Sequence, residues 1–162
     1  MNLEFTVFGK PETAGSKRGF IVRSKSGKQH VAIVDDNKNT KPWQAQVRFC
    51  AKQAWPSPTL ALGPVFLRCT FYFARFKTHY GTGRNAGKLR PSAPKDHTQR
   101  PDSLKLMRAI EDALTGVLYK DDCQIVDEAH GKRWAGPGEP ARAEIAVITA
   151  ADLFAAEAGA GE

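Results

Sequence analysis

The sequence predicts a single α+β domain built on a mixed β-sheet with two main helices. Three observations carry that expectation. Strand-like and helix-like stretches follow one another in the order β-ββ-α-β-α-ββ, which suits a mixed sheet better than a doubly wound parallel one. The chain has 162 residues, of which 41% are hydrophobic, enough for one core. There are no internal repeats, and composition shifts only near the end, so residues 1–149 are expected to form the domain and 150–162 a flexible tail.

The elements follow from local pattern. Leu3, Phe5 and Val7 alternate with polar residues and mark a strand. Phe20–Arg23 and His30–Val34 flank Ser24-Lys25-Ser26-Gly27-Lys28 and read as a hairpin. Thr40 is placed as an N-cap. An amphipathic helix runs from Trp43 to Trp55, with Trp43, Val47, Cys50, Ala51 and Ala54 on one side, and Pro56 ends it. Val65–Phe73 is the strongest strand, dense in β-branched and aromatic residues. A long loop, Lys77–Pro101, is punctuated by Gly81, Gly83, Gly87, Pro91 and Pro94, and loops of this length are usually functional or disordered. Ser103–Gly116 is a helix with Leu106, Ile110, Ala113, Leu114 and Val117 as its core stripe and Gly116 as its stop. Cys123–Ala129 and Arg142–Ile148 are expected as two strands joined in an antiparallel hairpin through Gly-Lys-Arg-Trp-Ala-Gly-Pro-Gly.

Composition narrows the function. No apolar run approaches the roughly eighteen residues that span a bilayer, and MNLEFTVFGK has no charged-then-apolar leader, so a cytoplasmic protein is expected, with no membrane partner. Cys50, Cys69 and Cys123 are odd in number and widely spaced, which argues against a zinc finger or a disulfide scaffold. The net charge is +7, and from Arg75 to Arg108 nine Lys or Arg stand against two Asp. Such a strip suits a polyanion, most simply a nucleic-acid backbone, although a solvated basic loop would look the same.

Against that basic background three acidic positions stand out: Asp102, Glu111-Asp112 and Asp121-Asp122. Clustered carboxylates are what phosphodiester hydrolysis by Mg²⁺ requires, because hard oxygen ligands hold the ion and the ion activates water. Plainer roles fit each acid as well. Asp102 suits an N-cap, Asp121-Asp122 a solvated turn, and Glu111 an i,i+3 partner for Arg108. Leu104, Arg108, Glu111 and Thr115 share the helix face opposite the core stripe, which leaves an apolar Leu104 among polar neighbours.

The stretch from His97 to Val126 resembles the core of RusA-type crossover-junction endonucleases of phages and prophages. Arg100-Pro101-Asp102, Asp112-Ala113-Leu114 and Asp121-Asp122-Cys123-Gln124-Ile125 carry the likeness. Gly15–Arg18 (GSKR) and Gly83–Gly87 (GRNAG) extend it along most of the chain. The resemblance implies a homodimer that binds four-way junctions and nicks paired strands with Mg²⁺, or Mn²⁺ in its place. It implies three Asp and one Lys as the catalytic set. Asp102 and Asp122 match the first and last Asp and, with a third carboxylate, are expected to hold the Mg²⁺; Arg108 stands where the Lys stands and is expected to contact the scissile phosphate or steady the transition state. The middle Asp is replaced by Leu104, and Lys105 replaces the Asn after it.

Glu111, on the same helix face as Leu104 and Arg108, or Asp121 is the candidate replacement for the missing carboxylate. Lys17, Arg18, Arg84, Lys88, Arg90, Arg100, Lys105, Lys132 and Arg133 are candidates for DNA-backbone contacts, and Tyr80 and Trp134 for stacking on unpaired bases, with simple packing as the plainer role of both aromatics. The departure at Leu104 keeps a second reading open: a branched-DNA-binding protein of the same fold whose cutting activity is impaired. A basic RNA-binding or assembly protein is a third.

Overall fold

The computed structural model describes residues 2–35 and 37–149, with the side chains at 17, 18 and 33–35 outside that description. The chain forms β1 (Asn2–Phe8), β2 (Lys17–Arg23), β3 (Gln29–Asp35), α1 (Thr40–Ala54), β4 (Val65–Phe73), α2 (Ser103–Leu114), β5 (Ile125–Trp134) and β6 (Arg142–Thr149). A four-stranded mixed sheet has the order β1-β6-β4-β5, and β2 and β3 pair as a separate antiparallel hairpin. The α+β expectation holds, element by element. The tail expected over 150–162 lies outside the described residues.

Alternation in the strands decides which face of the sheet is covered. Leu3 and Val7 of β1, Val65, Leu67, Cys69, Phe71 and Phe73 of β4, and Ala143, Ile145 and Val147 of β6 are buried. They meet Trp43, Val47 and Ala51 of α1 and Leu106, Ala109, Ile110, Ala113 and Leu114 of α2 in one core. Each large side chain fully removed from water contributes about 1.5–3 kcal/mol. The hairpin, in contrast, leaves Phe20, Ile21, Val22 and Val31 exposed.

Helix boundaries shift slightly from the sequence reading. Thr40 is the first helical residue of α1 rather than its cap; Asn39 precedes it, and the Thr40 hydroxyl donates to the Thr13 carbonyl at 2.7 Å. Pro42 then falls in the first turn, where a missing N–H costs nothing. α2 ends at Leu114. Gly116 turns the chain in the left-handed region, φ 73°, and its N–H donates to the Tyr119 carbonyl at 2.7 Å. From α1, Arg48 donates to the carbonyls of Asp112 and Ala113, both at 3.2 Å, placing a cation at the negative end of α2.

The expected hairpin between the last two strands does not form. β5 pairs with β4 in parallel, and β6 pairs with β4 and β1 antiparallel, so β4 lies between β5 and β6. Strand β5 does not stop at Ala129 but runs on through Gly131-Lys132-Arg133 to Trp134. The cause is Trp134 itself, which is 6% exposed and whose indole N–H donates to the Asp96 carbonyl at 3.0 Å. Only residues 135–141 remain to pass across the end of β4, anchored by the Ala135 N–H on the Phe73 carbonyl.

The long loop after β4 is ordered. It folds through short 3-10 turns at Lys77–His79 and Gly83–Asn85, and the Arg90 guanidinium staples it by donating to the Tyr80 carbonyl at 2.7 Å. Gly81 is required by close approach, since a Cβ there would lie 2.6 Å from the Asn85 carbonyl oxygen.

Candidate active site

Helix α2 lies along β5 in the opposite direction. Its C-terminal end meets the start of β5, where Glu111 approaches Glu128. Its N-terminal loop meets the far end of β5, where Lys132 reaches the carbonyls of Gln99 and Pro101 at 2.6 and 2.7 Å. Alternation along β5 puts Glu128, His130, Lys132 and Trp134 on the same side. A polar seam therefore runs between helix and strand, acidic at one end and basic at the other.

At the acidic end, Glu111, Asp122, Asp127 and Glu128 line a hollow of about 450 Å³ with Cys123, Ile125 and Val126. The Glu111 carboxyl is pushed from its ordinary 4.5 up to about 7, first by burial, then by a hydrogen bond with Glu128 and by the charges of Glu128, Asp122 and Asp112. Below about pH 7 the Glu111 carboxyl therefore keeps a proton, which it can donate to Glu128. Tyr119 and Thr115 brace this end of the helix, both donating to the Glu111 carbonyl, at 3.2 and 2.9 Å. His130 stands beyond, its Nδ1 3.8 Å from the Glu128 carboxylate.

Asp121 and Asp122 have separate surroundings. Asp121 caps the short turn Asp122–Gln124, accepting from the Cys123 N–H at 3.0 Å, and that hydrogen bond holds its carboxyl below the usual carboxylate range. Gln124 ties this turn down: its amide donates to the carbonyls of Ala61 and Gly63, and its oxygen accepts from the N–H groups of Lys120 and Asp121. The Asp-Asp-x-Gln run thus fixes its own geometry and leaves Asp122 facing the hollow.

Asp102 sits at the other end. It is the N-cap of α2, accepting from the Leu104 N–H at 3.3 Å, nine residues before Glu111, or about 13 Å of helix rise. It lines a different cleft, together with Arg100, Pro101, Lys105, His97 and Trp134. Exposed Arg108 lies between these two ends, and Leu104 is 63% exposed. The structure brings Glu111 and Asp122 together, adds Glu128 to them, and keeps Asp102 apart.

The basic candidates are spread. Arg84, Lys88 and Arg90 lie exposed on the long loop, Arg100 beside Asp102, and Lys105 reaches the Ser16 hydroxyl at 3.3 Å. Lys132 and Arg133 project to opposite sides of the sheet. The side chains of Lys17 and Arg18 lie outside the described residues. Trp134 is not open for stacking, because Phe76, His79 and His97 enclose its ring; Tyr80 is half-buried.

Glu128 is not among the residues that sequence pattern singles out. Its signal is the polar alternation Glu128, His130, Lys132 along a strand, which stays hidden when the strand is ended at Ala129. Oxygen donors alone line the acidic hollow's charged surface, and the raised pKa of Glu111 beside Glu128, Asp122 and Asp112 marks a place where positive charge is favoured. That donor chemistry fits a hard divalent cation. Among the described residues no three His, Cys, Asp or Glu side chains converge as a complete ligand set, so water and substrate phosphate would supply the other ligands. Among the described residues no helix is long and apolar enough to cross a membrane.

Comparison with known proteins agrees with the motif. YqaN of Bacillus subtilis (strain 168) is 32% identical over 130 residues, covering 77% of this chain and 82% of that protein. The family described as Endodeoxyribonuclease RusA matches residues 13–148. The chain therefore belongs to the RusA family of endodeoxyribonucleases, hydrolases that act on DNA and whose family activity is Holliday-junction resolution.

Proposed function

We propose that this protein is a divalent-metal-dependent, structure-specific endonuclease that resolves four-way junctions and other branched DNA by paired nicks. The observation that carries this reading is the approach of Glu111, on the helix that presents Arg108 outward, to Glu128 of β5 and Asp122 of the turn before it. RusA-family nucleases are generally divalent-metal dependent.

Glu111 with Glu128 would hold Mg²⁺, or Mn²⁺ in its place, with water completing the shell toward Asp122, and Asp121 orients Asp122 through the turn it caps. When bound, the ion supplies an activated water and offsets charge that develops on the scissile phosphate. Loading the site requires the Glu111 carboxyl to give up its proton. Arg108 holds a phosphate oxygen, its planar fork suiting that contact. Asp102 caps α2 and, at the family position, orients the approaching strand between Arg100 and Lys105. Arg84, Lys88, Arg90 and Arg133, with Lys17 and Arg18, bind the DNA backbone without reading sequence. Glu111 thus takes the place of the carboxylate that Leu104 does not supply. A two-fold dimer suits a junction with paired strands of like polarity.

One observation favours the second reading, a branched-DNA-binding protein that does not cut: Asp102 stands a helix length from the acidic hollow. A nicking assay on a labelled four-way junction, with Mg²⁺ against EDTA and with a linear duplex alongside, decides. Symmetric metal-dependent cuts that disappear in Asp122→Asn are expected. Tight junction binding with no cuts at any metal concentration would establish the binding-only reading instead.

A further inference from the structure

The cleft at the basic end is unlike the acidic hollow. It encloses about 960 Å³ between the loop after β4, the Arg100–Asp102 loop and the segment Lys10–Thr13. That is the size of a site for a small organic group rather than for an ion. Its floor is aromatic. Phe76 is 50% exposed, and its ring stands edge-on to His79 and to Trp134, both at 5.4 Å between centroids. This support holds the Phe76 ring in place and leaves it half uncovered. His97, 6% exposed, also lines the cleft, and its Nδ1 has no hydrogen-bond partner. Burial holds the imidazole below its ordinary pKa, so at neutral pH it is an uncharged donor-acceptor ring.

The rim is cationic, with Arg100 and Lys105 open to solvent. Two carboxylates also stand there. Glu12 is engaged by Lys10 at 3.4 Å and by the Asn37 amide at 3.2 Å, and Asp102 is turned to its own helix N-terminus. A half-open aromatic ring and two solvent-exposed cations within one cleft match a planar heterocycle joined to phosphates. Stacked base pairs of an intact duplex present no such face to a recessed floor.

We infer that this cleft receives one unpaired base from the branch point of DNA, stacked on Phe76, with its flanking phosphates on Arg100 and Lys105. The inference rests on the branched-DNA reading above and adds the place where the branch is held. The base would occupy an aromatic slot built on Phe76 rather than on Trp134 or Tyr80.

The test uses the full chain in EDTA, so that no strand is cut, and a branched DNA with one unpaired 2-aminopurine at the branch point. Binding should quench 2-aminopurine fluorescence, because the base leaves water for an aromatic stack. Phe76→Ala should lose the quench, and Phe76→Tyr should keep it. Bound branched DNA with unchanged or brighter 2-aminopurine overturns the inference, and leaves the branched-DNA reading standing. No preference for branched over linear DNA in the same titration overturns that reading as well. A second measurement needs only the unaltered protein. An abasic site at the unpaired position should weaken binding about tenfold, the scale of one stacked base; equal affinity would overturn the slot even if Phe76→Ala does not fold.

Discussion

The Lys132 ammonium donates to the Pro101 carbonyl at 2.7 Å, and to the Gln99 carbonyl at 2.6 Å, fixing the loop that delivers Asp102 to the start of α2. Lys132 stands two residues before Trp134 at the end of β5, so the polar clamp and the hydrophobic anchor share one stretch of strand. Packing of one places the other.

Lys132→Met keeps the aliphatic stem and removes the clamp. Two carbonyls lose a charged donor, at about 1.5–3 kcal/mol for a hydrogen-bonded charged group. Urea unfolding should show stability fall by that amount, through a lower midpoint at an unchanged slope. Junction affinity should fall with it, because the Arg100–Asp102 loop is released. An unaltered midpoint would mean that the loop is held by other interactions.

Glu111 links stability to pH. Its carboxyl titrates near 7 in the folded chain against an ordinary 4.5, so between those values the folded state keeps a proton that the unfolded state has released. The stabilisation is complete below about 4.5, declines as pH rises, and is gone above about 7. Glu111→Gln should flatten the decline and, without metal, raise stability at pH 8 by on the order of 1 kcal/mol after discounting for solvent screening. Thermal melts across pH 4–8 check the shape of the curve. The same proton competes with a cation, so calorimetry should show Mn²⁺ binding strengthen from pH 6 to pH 8 in the unaltered protein, and Glu111→Gln should weaken it.

Arg48 closes the C-terminal end of α2, and through it the acidic hollow. Arg48→Met removes two hydrogen bonds and a cation from the helix terminus, at about 1 kcal/mol for an exposed guanidinium. The melting temperature should drop by a few degrees. If it does not, the α1–α2 packing alone holds the helix end.

Salt dependence separates backbone binding from branch recognition. Arg84→Ala and Lys88→Ala should each reduce the slope of log affinity against log salt by about 0.9 for every phosphate of the duplex arms that the side chain neutralises. Preference for branched over linear DNA should persist, because these side chains touch only backbone. A change in preference with an unchanged slope would place them at the branch point instead.

Much of this was legible in the sequence because local patterns need only neighbouring residues. Alternation at Leu3, Phe5 and Val7 and the stripe Leu106, Ile110, Ala113 and Leu114 set the strand and helix faces, and the Asp-Asp-x-Gln and Arg-Pro-Asp runs pointed to the RusA family. The tertiary structure decided what no local pattern contains. It placed β5 parallel beside β4, because burying Trp134 against Phe76 and His97 extends the strand past the residues that read as a turn. That parallel placement carries Glu128 to Glu111, and the extension carries Lys132 to Pro101 and the rings of Phe76 and His97 to one cleft. Each pair is distant along the chain, and its members meet only when the sheet has chosen its strand order.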